Sequence, residues 1–543
     1  VEHSLTLSIG LPGQGMHLRI DPLSALFVAL LLPQVAAAAL AGMRRSLAFW
    51  GFVGALLLTV LAADAFTLMF GFGLMGVAAW APARPGAGAA GRLSLALVGV
   101  ACLGPAVFLP PGGVAFGLVL IGAGATAALA PLIGGRRNPP PAAVMSGGMV
   151  AVGLYVMTRY GFIVLGAAAQ PWWGVALILA GAVGVGFGAR RAMLQVDMGR
   201  LLAGATVAQT GLIGIGLGIA LWAKALGEPG LAALALQGAL LGSIAQALIA
   251  PLLRLGAGAV AQATGTDSLD WLGGLMRGMP RLGVLMLAGA AGMAALPLSP
   301  GFAPEFLLLH AVIAAAWTGG LLTGCGFAVL LALLGLAAGL MLGAGLRLIG
   351  VGFLGRPRTL RAAAAEDAGG ATLGAMALLA GFCVPLALTP GLILAAIRPV
   401  IGQLASGAPD VKLGYQPLPV ALLMGLSAIG AAALLRRFAV RGERQVPAWN
   451  GGFGKPPVWL PFGDPQTQPS ATGLAEPTAR ALGLAMGGGR LCAAGWGRPD
   501  RRVYAGLARA ADRLADIASG RNLALVVSAL VLGLVLIGLG QAG

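Results

Sequence analysis

The chain has 543 residues, 58% of them hydrophobic and only 9% charged, with 34 Lys+Arg against 17 Asp+Glu. A soluble domain carries about 25% charged residues, so this chain cannot cover a water-facing surface. Soluble enzyme, secreted disulfide module and disordered polymer are therefore excluded as readings of the whole. The 90 glycines and 34 prolines alternate with long Leu/Ala/Val/Met runs, and both residue types are commoner in membrane helices than in soluble ones.

In chain order, residues 1–20 come first. "LTLSIGLPGQGMHLRID" alternates apolar and polar residues around a Gly-Leu-Pro-Gly turn and predicts an extramembrane hairpin. Spans of about 20 apolar residues are then expected near 22–42, 47–63, 65–81, 93–110, 113–133, 142–166, 172–189, 201–223, 230–253, 282–299, 303–318, 322–350, 371–397, 416–436 and 521–540. The fold class is thus an all-α polytopic membrane protein of about 14–15 transmembrane helices. The bundle occupies 21–437. Residues 438–499 are rich in Pro and Gly and read as an extramembrane loop. Residues 500–519 read as an amphipathic surface helix, with Val503, Leu507, Ala510, Leu514 and Ile517 on one face. Residues 520–543 hold the last span. No signal peptide is expected ahead of the first.

The net charge of +17 collects in pairs between apolar runs, Arg44/Arg45, Arg136/Arg137, Arg190/Arg191 and Arg436/Arg437. Basic residues gather this way in the cytoplasmic loops of membrane proteins, so the bilayer is the expected partner and nucleic acid is not. Cys102, Cys325, Cys383 and Cys492 have no metal-ligand spacing, and no glycine fingerprint for a dinucleotide follows a strand. No metal, flavin, Fe–S cluster or other cofactor is expected in this chain beyond bound lipid, and no catalytic residue.

Charge inside a bilayer is costly and marks function. No acid lies between Asp64 and Asp197, although several spans do. Two spans carry internal breakers, one at Pro131 and one at Pro297, Pro300 and Pro304. Broken helices are tolerated beside a cavity or within protein and often border ion paths; a loop between two helices is the plainer reading. Glu305 follows the second break, with His310 beyond it and Arg347 within "LMLGAGLRLIGVGFLG". These three are the candidate ion path. Histidine titrates near neutrality, whereas arginine biases a path without relaying protons. Each also has a structural reading: Glu305 as a helix-start carboxylate, His310 as a core residue, Arg347 as a snorkelling cation.

Several segments in succession resemble one family, the antiporter-like, proton-conducting membrane subunits of complex I and its relatives. "DPLSALF" at 21–27 is similar to the start of a family helix. "AVMSGGMVAVGLYVMTRY" resembles "ALMSGVMIKxxIYxxxR", and "DMGRLLAGATVAQTGLIGIGLGIAL" resembles "DLKRLLAYSSVENIGIIxxGLGxAL". "LLRLGAGAVAQATGTDSLDWLGGLMRGMP" resembles "LLFLGAGAVxHATGTRxLxxLGGLxRRMP". The late "WNGGFG…SATGLAEP" is similar to "WDCGYG…TATSFAEP", which points to the branch of hydrogenase-4 component B and the large membrane subunit of formate hydrogenlyase.

The resemblance implies two inverted five-helix repeats with broken helices, and other membrane and redox subunits as partners. It also implies a multi-pass place in the inner (plasma) membrane of a bacterium. The departures from the family pattern are systematic. Its essential glutamate falls on Gly73, its broken-helix lysine on Thr126, the next lysine on Ala151, and that of "DLKRLL" on Gly199. Its "NHALFK" histidine and lysine fall on Gln246 and Ala250. Asp197 and Arg200 are kept as an interface-like pair, Glu305 is kept, and the distal lysine is replaced by Arg347. The resemblance therefore implies a degenerate antiporter-like subunit of a redox-driven complex, mainly scaffold, with at most a residual proton path in its second half. The chain itself would be a non-catalytic part of an oxidoreductase. Two rivals stand beside it: an active proton- or Na⁺-translocating subunit, and an independent secondary transporter.

Overall fold

The computed structural model describes residues 3–11, 14–43, 47–80, 99–106, 109–129, 140–405, 407, 414, 416–438 and 470–481. Pro131, most of the 438–499 segment, the amphipathic stretch 500–519 and the span near 521–540 lie outside the described residues.

Strands β1 (His3–Leu11) and β2 (Gln14–Ile20) form an antiparallel hairpin with an irregularity between Leu7 and Gly10. Helices follow: α1 (Pro22–Leu40), α2 (Leu47–Leu61), α3 (Ala65–Trp80), α4 (Gly113–Thr126), α5 (Pro140–Arg159), α6 (Pro171–Leu194), α7 (Met198–Leu226) and α8 (Pro229–Thr264). Then come α9 (Pro280–Met293), α10 (Phe302–Thr318), α11 (Leu321–Gly352), α12 (Gly370–Leu388), α13 (Pro390–Leu404), α14 (Pro417–Phe438) and α15 (Ala471–Ala481). Among the described residues, eight helices are long and apolar enough to cross a membrane, and six further apolar helices are shorter. The molecule is a polytopic, helical membrane protein. Several expected spans of full length are in fact these shorter helices, because glycine- and alanine-rich runs hide where a helix stops. Within the stretch read as a loop, α15 is helical.

Helices α6 and α7 make the most extensive contact in the bundle. Gly174, Gly181 and Gly188 of α6 face Gly218, Gly211 and Gly204 of α7 in reciprocal pairs. Seven residues are two helical turns, so each set forms one stripe. A Cβ on Gly181 would lie 2.6 Å from the Gly211 carbonyl oxygen, and one on Gly211 would lie 2.7 Å from that of Gly181. The two backbones are therefore in direct contact. Such small-residue seams hold membrane helices together where burial of apolar surface supplies no drive.

A buried polar knot joins the helix ends beside the hairpin. Asp21 caps α1, accepting from the Ser24 backbone N–H at 2.8 Å, and pairs with Arg159 at 3.0 Å. Arg159 also donates to the Tyr155 hydroxyl at 2.7 Å, and that hydroxyl donates to the Val60 carbonyl at 2.6 Å. Gln403 of α13 donates to Asp21 at 3.1 Å. Burial pushes the Asp21 carboxyl upward. The Ser24 hydrogen bonds, the Arg159 charge and Gln403 outweigh it and hold the group below its ordinary value. One knot thus ties α1, α2, α5 and α13 together, and β2 is fastened beside it through the backbone N–H of His17, which donates to Asp64 at 2.9 Å.

Candidate functional site

Residues 294–301, between α9 and α10, are a break in one helix rather than a hairpin. Gly256, Leu253 and Ile249 of α8 lie successively against Met286, Gly289 and Gly292 of α9, and Gly242 and Gly238 lie against Pro304 and Leu308 of α10. The two halves run in one line, antiparallel to α8. Ala295 and Leu298 take positive φ, 48° and 66°, which bulky side chains rarely adopt and which Pro297 and Pro300 help to impose by ending helix on either side. The break faces the middle of α8. There Pro251, inside the helix, has no N–H to offer the Ala247 carbonyl. A broken helix thus faces a continuous one that lacks one backbone hydrogen bond.

Between them lies a cavity of about 60 Å³ whose polar lining is Gln209 of α7, Gln246 of α8 and Glu305 in the first turn of α10. By the volume one water requires, it has room for about four. Gln246 is 4% exposed, and neither of its amide atoms has a protein partner. Gln209 donates to the Met293 carbonyl at the broken end of α9, at 3.2 Å. Gln209, Gln246, Ile249 and Met293 also line a second space of about 10 Å³. It extends along α7 and α8 to Thr206 and Arg254, which hydrogen bond at 2.8 Å.

Of the three ion-path candidates, only Glu305 lines this cavity. His310, about one and a half turns on, is exposed, with Nδ1 2.9 Å from the Phe306 carbonyl and its ring against the Phe306 ring. Arg347 points into the bundle and is 2% exposed. Its guanidinium is held by neither Glu305 nor the break. It donates to the carbonyls of Ala471 and Gln195, each at 3.0 Å. Asp270 completes this clamp, accepting from the Ala471 N–H at 2.7 Å and the Thr472 hydroxyl at 2.8 Å. Helix α15 is seated by these bonds, with Ala471, Ala475 and Ala479 inward.

The positions with lost charge divide between two environments. In the first half, Gly73 is half-buried on α3, and a Cβ there would lie 3.5 Å from Val100 among the described residues. Thr126 is buried, its hydroxyl bonded to the Ala123 carbonyl of its own helix at 2.9 Å. Ala151 is buried on α5. In the second half, Gln246 lines both spaces and Ala250 lines the smaller one. Gly199 lies partly buried near Asp267. Asp197 and Arg200 form a half-exposed pair at 3.3 Å, a geometry worth little energetically. The sequence reading passed over Arg254, Asp270 and Arg159. Arg254 sits within "LIAPLLRLGAG", the same signal of a lone arginine in an apolar run that singled out Arg347.

Residues 137–331 match the NADH:quinone oxidoreductase/Mrp antiporter transmembrane family. That stretch of the bundle, from the start of α5 into α11, is therefore similar in sequence to the membrane part of these antiporter subunits. The chain is 28% identical to hydrogenase-4 component B of Escherichia coli (strain K12), over 65% of this chain and 56% of that protein. It is 33% identical to formate hydrogenlyase subunit 3 of the same organism, over 55% of this chain and 47% of that protein. An uncharacterized protein of Mycobacterium tuberculosis is 34% identical over 59% of this chain and 49% of its own length. The chain thus spans about half the length of these relatives. In fold, it is similar to a chain of the membrane-bound sulfane sulfur reductase, an archaeal respiratory membrane complex. That TM-score is 0.71 at 20% identity, covering 99% of this chain and 92% of that one. A chain of respiratory complex I from Thermus thermophilus gives a TM-score of 0.60 at 20% identity, covering 74% and 89%. Both neighbours are parts of multisubunit membrane complexes.

Proposed function

We propose that this antiporter-like chain is a membrane subunit of a multisubunit, redox-driven complex related to complex I and the hydrogenases, in the plasma membrane of a bacterium. Its first half acts as scaffold, and any ion movement it retains uses the second half. The observation that carries this reading is the contrast between the halves. Among the described residues no titratable side chain is bonded to Thr126, whose hydroxyl is satisfied within its own helix, and Ala151 is buried in packing. Glu305, by contrast, lines a cavity beside an unpartnered amide, where the break between α9 and α10 faces α8. The buried charge this half does hold, the Asp21–Arg159 pair, is tied up at the helix ends beside the hairpin, away from Thr126 and Ala151. A carboxyl group in a space with room for water can take up and release a proton.

The chain brings no redox centre in this reading, so electrons pass through partner subunits. Affinity purification of the full chain from its native membrane in mild detergent tests this. Redox and membrane subunits should co-purify in fixed proportion. A chain recovered alone, and still moving a solute in vesicles, would instead establish an independent carrier.

A further inference from the structure

Two spaces share four lining residues, and between them they join the one acid of the α9–α10 break to an arginine that the function above does not use. Gln246 stands where they meet. Eight residues separate it from Arg254 on α8, about 12 Å of helix rise, and Thr206 and Gln209 of α7 face that interval. Glu305 and Arg254 each keep part of their surface within reach of a water-sized probe, whereas Gln246 and Met293 between them are buried. A buried amide with no partner on either atom costs as much as one or more lost hydrogen bonds. The usual remedy in a polar space of sufficient size is water with two to four partners.

We propose that these spaces form one water-filled passage from Glu305 to Arg254, threaded through Gln246, and that Arg254 is its fixed positive end. The amide N–H groups of Gln246 donate to one water and its carbonyl oxygen accepts from another, so the residue bridges the wider space to the narrow one without carrying a proton itself. Arg254, held by Thr206, keeps its proton at working pH and turns water oxygens toward itself. The hydrogens of the chain then point at the Glu305 carboxylate, which is where a proton from hydronium comes to rest, leaving water behind. Arg254 lies one turn beyond Ala250 on the same face of α8. The charged side chains that line these two spaces are therefore Glu305 and Arg254, and His310 and Arg347 line neither.

This passage rests on the reading that retained ion movement uses the second half, but its water is measured without any ion movement. The two can therefore fail separately. Met293 lines both spaces and is 3% exposed, whereas Met286 is fully buried and packs on Gly256 outside them. Pulsed hydroxyl-radical labelling of the purified complex, read by mass spectrometry, compares these two methionines. Met293 should be labelled well above Met286. Gln246→Leu should bring Met293 down to the level of Met286, while Gln246→Asn, a control that keeps the amide, should preserve the labelling. Arg254→Met should reduce the label at Met293 and Arg254→Lys should not. Equal labelling of Met293 and Met286 in the unaltered complex would overturn the passage. Labelling of Met293 indifferent to both Gln246→Leu and Arg254→Met would also overturn it. Assembly of each variant is checked by size-exclusion profile.

Discussion

Arg347 of α11 donates to the carbonyl of Ala471, 124 positions later in the chain, at 3.0 Å. The buried arginine named from sequence as an ion-path candidate is bonded to a helix start. The same guanidinium reaches the Gln195 carbonyl that ends α6, and Asp270 grips the N–H of Ala471. Asp270 at the start of α15 and Arg347 at the end of α6 meet the backbone groups that helix ends leave open.

This clamp makes Arg347→Met a change in local stability. Hydrogen bonds to a charged group are each worth about 1.5–3 kcal/mol, so hydrogen exchange in residues 471–481 should speed up markedly while the rest of the bundle keeps its protection. Asp270→Asn should loosen the same segment, and the double variant should cost less than the two single effects added, since both act on one contact set. Unchanged exchange in 471–481 for both variants would remove the clamp.

The α6–α7 seam should tolerate no branched side chain. Gly181→Val pushes a Cβ and two methyls into the Gly211 backbone. Overpacking typically costs about 1–3 kcal/mol, and more where the obstacle is backbone, which cannot rotate away. Yield of folded protein and melting temperature in detergent should both fall. Gly51→Ala, at a position with open space around its Cβ, should leave both near the original values.

The Asp21–Arg159 pair should act on stability in a defined pH window. Removing one partner of a buried pair costs about 3–5 kcal/mol, so Asp21→Asn and Arg159→Met should each lower the melting temperature near neutrality. The Asp21 carboxyl is held below its ordinary value. Its contribution is therefore complete above the unfolded value, about 3.9, and is lost as pH falls through the lower folded value. The gap between the original chain and Asp21→Asn should stay constant from about pH 5 to 8 and close below about pH 4. A gap that persists well below pH 3 would contradict this assignment.

Much of the bundle is legible in the sequence because apolar length and proline position have direct backbone consequences. Pro297, Pro300 and Pro304 mark the break, and Glu305 beside it lines the cavity. Partners are less legible. Nothing local to Arg347 says that Ala471 will cover it, and nothing near Glu305 says that His310 faces outward; both depend on how distant helices rotate against one another. The seven-residue spacing of Gly174, Gly181 and Gly188 was open to reading, but it is hard to single out among 90 glycines. Arg254 was missed because a charge inventory built on acids and lysines passes over a lone arginine three residues after a proline within one helix.

The most direct test is electron-driven proton uptake by vesicles containing the whole complex, with Glu305→Gln in this chain. Glutamine keeps the volume and hydrogen bonding of the glutamate but cannot titrate. Electron transfer should continue while the share of uptake carried by this subunit is lost, and Thr126→Ala with Ala151→Leu in the first half should leave uptake unchanged. Uptake that survives Glu305→Gln and collapses in the first-half variant would place the working path in the half read here as scaffold, and would contradict the account.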